Sequence, residues 1–286
     1  MTTPIIATIG GLSFAIDDSS DHTLATIQGW YSGAPKRVEI DDNPNSDGAS
    51  PVDQDFRASR VITLNGLLSS VSADSAITDV WSEFAALQSD GVPSPFTVTD
   101  SSGPKSVTAS VAINDVEPLL DGLAAYTLQL VARDPVKYGP ATQYVTGLPM
   151  SGGGLEYPLH SGGSGGSLYY GSNGTLGRVS LTNAGTATVW PSVTVSGELT
   201  TGFFIQRLDT GQVVRYDRVV PAGSTVFIDF RTGEVLVDGL SDGSTYVTRY
   251  EFFSVAPGQT IEVQFNAIGG STGTPTARFT MSDGYW

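Results

Sequence analysis

The segment LQLVARDPVKYGP, residues 128–140, begins as an amphipathic strand and then stops. Leu128, Leu130 and Ala132 alternate with Gln129, Val131 and Arg133, the two-residue period of a strand with one buried face. Asp134-Pro135 follows, and Pro140 comes soon after. Proline lacks an N–H and pushes the residue before it into extended geometry, so a sheet ladder has difficulty continuing. The pattern predicts the last strand of a first domain, with Leu128 and Leu130 buried and Gln129 and Arg133 on the other face.

Upstream of this strand the chain alternates short β patterns with one helical one. ADSAITDVWSEFAALQSDG, residues 73–91, repeats Ile77, Val80, Trp81, Phe84 and Leu87 at spacings of three and four, the stripe of a helix packed on a sheet. Asp74 is the expected N-cap and Asp90-Gly91 the stop. RVITLNGLL (60–68), SPFTVTD (94–100), KSVTASVAIND (105–115) and AAYTLQLVAR (124–133) read as strands, and Val107, Ala109, Val111 and Ile113 are expected on one face. At the start, Gly10-Gly11 between Ile9 and Leu12 predicts a hairpin. Residues 1–138 are therefore expected to form an α+β domain, a mostly antiparallel sheet with one main helix.

Downstream, residues 147–177 hold 11 glycines in 31 positions, too many for regular structure, and 139–177 reads as a Gly-rich connector. From residue 178 to 286 short strands recur, separated by turns at Thr210-Gly211, Pro221-Ala222-Gly223, Thr232-Gly233, Asp242-Gly243 and Pro257-Gly258. Eight or nine strands in about 110 residues without a helical period predict an all-β sandwich or jelly roll.

Composition narrows the function. Net charge is −15, and residues 1–135 carry 18 acidic against 6 basic side chains. Such a surface argues against stable nucleic-acid binding, which needs cations to replace counterions. Cysteine is absent, which removes disulfides and thiolate metal sites. No apolar run approaches the ~20 residues of a membrane span.

No catalytic constellation stands out. His22 and His160 sit among turn residues and are expected at the surface. GGSGG (162–166) has the spacing of a nucleophile elbow but lies within a glycine tract, without the strand and helix an elbow requires. The acidic loop 41–55 aligns Asn43, Asn45, Asp47 and Gly48 with a calcium loop, yet puts Gln54 where a bidentate Glu is needed. It is expected to be a solvated loop. NGT at 173–175 is a formal glycosylation sequon with no supporting context. Trp190, Tyr216 and Tyr250 are expected to be mostly packed. Neither an enzyme, a metal site nor a cofactor is expected.

With both halves in view the chain resembles the distal tail proteins of long-tailed, non-contractile bacteriophages. The stretch with Arg60, Ile62, Leu64 and Gly66 carries the likeness, as do Asp47-Gly48-Ala49 before it and Leu128, Leu130, Ala132, Asp134 and Pro135. GLPMSGGGLEYP is similar to connectors in tail proteins of phages infecting actinobacteria. Asn183, Gly185, Pro191 and Gly197, then Thr210-Gly211, Asp229 and Asp238-Gly239, resemble the galectin-like second domain. The resemblance implies a virion structural protein at the tail tip, its first domains assembled as a homo-oligomeric, hexameric ring around a lumen for DNA. It implies partners in the tail tube protein, the tape-measure protein and a tail-tip hub protein, without membrane insertion. Asp41, Asp42, Asp47, Asp53 and Asp55 are the candidate lumen acids. The alternative is a carbohydrate-binding module for host glycans, with Trp190 and Tyr216 as contacts.

Overall fold

The structure is a computed structural model that describes residues 5–16, 22–37, 45, 47, 56–69, 77–120, 123–150 and 174–286. The chain divides into two compact units, residues 1–140 with Tyr285 and Trp286, and residues 141–284.

The first unit contains β1 (Ile6–Ile9), β2 (Leu12–Ala15), β3 (His22–Gln28), β4 (Arg60–Ser69), α1 (Ile77–Ala85), β5 (Ser94–Asp100), β6 (Gly103–Leu120), β7 (Leu123–Ala132) and the start of β8 (Lys137–Gly147). The expected hairpin is present: Ile9 pairs with Leu12, and Gly10 and Gly11 have φ of 57° and 89°. Two successive positive φ values make the tight turn whose twist suits a hairpin. Strands follow the order β6-β5-β1-β2-β3-β4-β7, and β6 also pairs with β7. The sheet therefore closes on itself as a barrel, where the sequence suggested a mostly antiparallel sheet packed by one main helix. Closure depends on the long-range register Ser110↔Val131 and Val111↔Leu130, which no local pattern encodes.

Side chains from the strands fill the barrel together with the buried face of α1. Phe84 lies 5.2 Å from the Tyr126 ring and 6.4 Å from Phe14, while Trp30 meets Phe96 edge-on at 5.5 Å. Leu128 and Leu130 are fully buried in this core, and Trp81 packs half-buried against it. Gln129 is only partly covered and Arg133 is exposed. Gly66, on β4, is needed for close approach: a Cβ there would lie 1.8 Å from the Thr23 carbonyl oxygen. One expectation fails on β6. Val107 and Ala109 are buried but Ile113 is 47% exposed, because the register slips between Val111 and Ile113. A bulge adds one residue and sends every later side chain to the opposite face.

The second unit contains the rest of β8, then β9 (Arg178–Thr182), β10 (Ser192–Leu199), β11 (Phe203–Arg207), β12 (Val213–Tyr216), β13 (Thr225–Asp229), β14 (Val235–Val237), β15 (Ser241–Asp242), β16 (Val247–Tyr250), β17 (Thr260–Ala267) and β18 (Ser271–Tyr285). One antiparallel sheet runs β15-β14-β13-β10-β18-β8 and the other β16-β12-β11-β17-β9. Inward residues alternate along both: Val193, Val195, Ile228 and Phe279 in the first, Phe203, Ile205, Val263 and Phe265 in the second. Phe230, just after β13, packs at 4.7 Å against Phe253, just after β16.

Candidate functional site

The stop at Asp134-Pro135 lies where the structure concentrates buried charge. The loop after β3, residues 29–32, turns sharply at Gly29 with a φ of 77°. Its carbonyls need donors away from water, and Arg60, at the start of β4, supplies them. Its Nη1 donates to the carbonyls of Gly29 and Ser32, both at 2.7 Å, and more weakly to Trp30 at 3.3 Å. Its Nε donates to the Pro135 carbonyl at 3.0 Å. Lys137, the first residue of β8, donates Nζ to the Trp30 carbonyl at 3.0 Å and lies 5.4 Å from the centre of the Trp30 ring. Arg60 is 1% and Lys137 6% exposed.

Two cations thus share one dry corner with backbone carbonyls as their partners. Burial, then repulsion from Arg57, lowers the Arg60 pKa. Burial pulls Lys137 from 10.5 to about 8, with repulsion from Arg60 and Lys105 adding to it and Asp100 opposing it. At the rim Tyr31 donates its hydroxyl to Asp100 Oδ2 at 3.1 Å, and burial with that bond raises the Tyr31 pKa to about 12. Ser102 donates both N–H and hydroxyl to Asp100 Oδ1, at 2.8 and 2.6 Å. The corner fixes backbone and offers no nucleophile with a base.

In the second unit Asn183 ties a comparable knot. It is fully buried; Nδ2 donates to the Ala187 carbonyl at 2.8 Å and the Val255 carbonyl at 3.1 Å, while Oδ1 accepts from the Gly185 N–H at 3.0 Å.

The sequence-derived site residues are scattered. Asp47 is exposed, whereas Asp41, Asp42, Asp53 and Asp55 lie outside the described residues, as do His160, GGSGG and Asp74. Asn45 is likewise exposed, and the remaining calcium-loop positions fall outside the described residues. His22 is 6% exposed, not a surface residue as expected, since it occupies an inward position of β3 with its ring 5.3 Å from Phe14. The aromatics expected to be packed divide. Tyr216 is 1% exposed and stacked on Phe203 at 5.3 Å, but Trp190 is 39% and Tyr250 57% exposed. Arg231 stands over the Trp190 ring at 5.5 Å. Trp190 and Tyr216 therefore make separate ring contacts. Among the described residues no group of three or more His, Asp or Glu side chains could hold a metal ion, and no helix is long and apolar enough to cross a membrane.

The sequence reading missed the buried cations. Lys137 read as part of a stop signal, and Arg60 drew notice only through the resemblance. Arg60 does occupy the inward register of Ile62 and Leu64, and a charge in phase with a buried face is the signal that could have found it.

Comparison with known proteins fits this architecture. Residues 184–280 match the family model of the siphovirus-type tail component, C-terminal domain. That stretch of the second unit is thus similar to a tail-component domain of siphoviruses. More narrowly, the whole chain has the fold of the distal tail protein, Dit, and the resemblance drawn from the sequence holds. The crystal structure of Dit from phage SPP1, described as a paradigm of the hub adsorption apparatus in phages infecting Gram-positive bacteria, superposes with a TM-score of 0.65. The match covers 99% of both chains at 12% identity. A chain of the phage P2 baseplate, in its activated conformation with Ca, gives a TM-score of 0.53 at 10% identity, covering 99% of this chain and 98% of that one. No curated protein matches the sequence.

Proposed function

We propose that the chain is the distal hub of a siphovirus tail, a non-enzymatic structural protein of the virion tail tip. Six copies form a ring at the end of the tail tube and join it to the tape-measure and tail-tip hub proteins, and DNA passes through the lumen. Residues 1–138 build the ring, the connector of 139–177 opens as strand β8 and not as irregular chain, and the galectin-like sandwich of 178–286 faces outward to hold neighbouring tip proteins. The observation that carries this reading is the end-to-end likeness to SPP1 Dit, which spans both units of the chain and not the tail-component domain alone. Charge supports it as well: net −15 disfavours adhesion of a passing polyanion. Light scattering on the purified protein tests it, with a mass near six times the 29.9 kDa chain expected. A strictly monomeric species at high concentration would overturn the proposal.

A further inference from the structure

The second unit contains a cavity that the hub function leaves unused. It has a volume of about 270 Å³ and lies among the end of β12, the loop to β13, and the turn after β14. Val220 and Val226 give it an apolar floor, and both are 1% exposed. Its lining also includes four residues with polar side chains: Tyr216, Arg218, Ser224 and Asp238.

Arg218 and Asp238 are each held in place by something other than a ligand. The Arg218 guanidinium stacks over the Tyr246 ring at 4.2 Å. Stacking uses the guanidinium face and leaves N–H edges to donate. Asp238 occupies a turn of two left-handed residues, with φ of 53° at Asp238 and 72° at Gly239. Its Oδ1 accepts the Thr225 N–H at 2.7 Å, so Oδ2 is the oxygen left for a ligand. A cation and a carboxylate thus line one cavity with an aliphatic floor, together with Ser224.

We propose that this cavity binds one hexopyranosyl unit of a glycan. Vicinal hydroxyls of a pyranose donate to a carboxylate and accept from a guanidinium at once, and its axial C–H face suits the valine floor. A simple anion would be repelled by Asp238, and a purely apolar ligand would strip water from the exposed Arg218 and Asp238 without replacing its hydrogen bonds. The volume fits a single sugar ring with little space left over. The site depends on the second unit alone, so ring assembly and sugar binding can fail independently.

The experiment is saturation-transfer NMR on the full-length protein with methyl glycosides of glucose, galactose, rhamnose and N-acetylglucosamine, with inorganic phosphate as an anion control. At least one glycoside is expected to bind with a dissociation constant on the order of 1 mM. Arg218→Met, which keeps the aliphatic stem, and Asp238→Asn, which keeps the Thr225 acceptor and tolerates the left-handed turn, should each weaken binding at least tenfold. Melting curves matching the unsubstituted protein establish that both variants are folded. No transfer to any glycoside at 50-fold the expected constant, undiminished binding in both folded variants, or competition by phosphate would overturn the proposal.

Discussion

Arg60 and Pro135 are 75 residues apart, yet the guanidinium Nε of one donates to the carbonyl of the other at 3.0 Å. The bond ties the start of β4 to the corner where β7 ends, while the same guanidinium holds the loop after β3. Arg60→Met leaves several buried carbonyls without a donor. It should cost about 3 kcal/mol, since bonds to charged groups contribute about 1.5–3 kcal/mol and orphaned acceptors add to the loss. Arg60→Lys should recover only part, because an ammonium cannot reproduce the fork. Urea denaturation of the three proteins measures both.

Lys137 gives a pH dependence of definite sign. Its pKa falls from 10.5 to about 8 on folding, mainly through burial. Below about pH 8 it is protonated in both states, and the cost of burying the charge is constant. Between about 8 and 10.5 the unfolded chain binds more proton than the folded one, so this residue makes stability rise with pH. The urea midpoint of the unsubstituted protein should climb relative to Lys137→Met between pH 8 and 10, and groups common to both cancel. Parallel profiles would show that Lys137 keeps an ordinary pKa.

Phe84 fills the barrel between Phe14 and Tyr126 and is fully buried. Phe84→Ala should lose about 3–5 kcal/mol, the transfer and cavity cost of a large core aromatic. Glu83→Ala, one residue earlier on the exposed face of α1, should change stability by less than about 0.5 kcal/mol. Thermal unfolding distinguishes them.

Asn183→Ala should destabilise the second unit by about 2–3 kcal/mol, because it orphans buried backbone groups on both sides of the amide. Hydrogen exchange should show the Gly185 amide losing protection while the core strand β7 of the first unit keeps its own. Equal loss in both units would mean that they unfold as one.

Strands with a strict two-residue alternation were legible with little ambiguity. β5 spans Ser94–Asp100 as expected, and β7 begins and ends one residue earlier than its segment. The helix appears at Ile77–Ala85, inside the predicted span. What stayed hidden depends on partners far along the chain. Barrel closure through β6 and β7, the bulge that turns Ile113 outward, and the burial of His22 all follow from register, which a window of ten residues does not contain. The cavity beneath Arg218 was hidden for a similar reason. No local pattern marks Arg218, and only the fold brings it, the loop to β13 and the turn at Asp238 around one cavity.

Closure of the first unit has a consequence for solubility. An open sheet ends in unpaired N–H and C=O groups that can template another strand, and crowded copies of such a chain are prone to grow into fibres. Pairing β6 with β7 joins the two ends of the ladder and removes that template from the barrel wall. In the second unit the edges of the five-stranded sheet, β9 and β16, are five and four residues long, and β16 carries the Arg249–Glu251 ion pair beside its end. Short, charged edges are poor seeds. Both halves are thereby fitted to stand at high local concentration without polymerising strand upon strand.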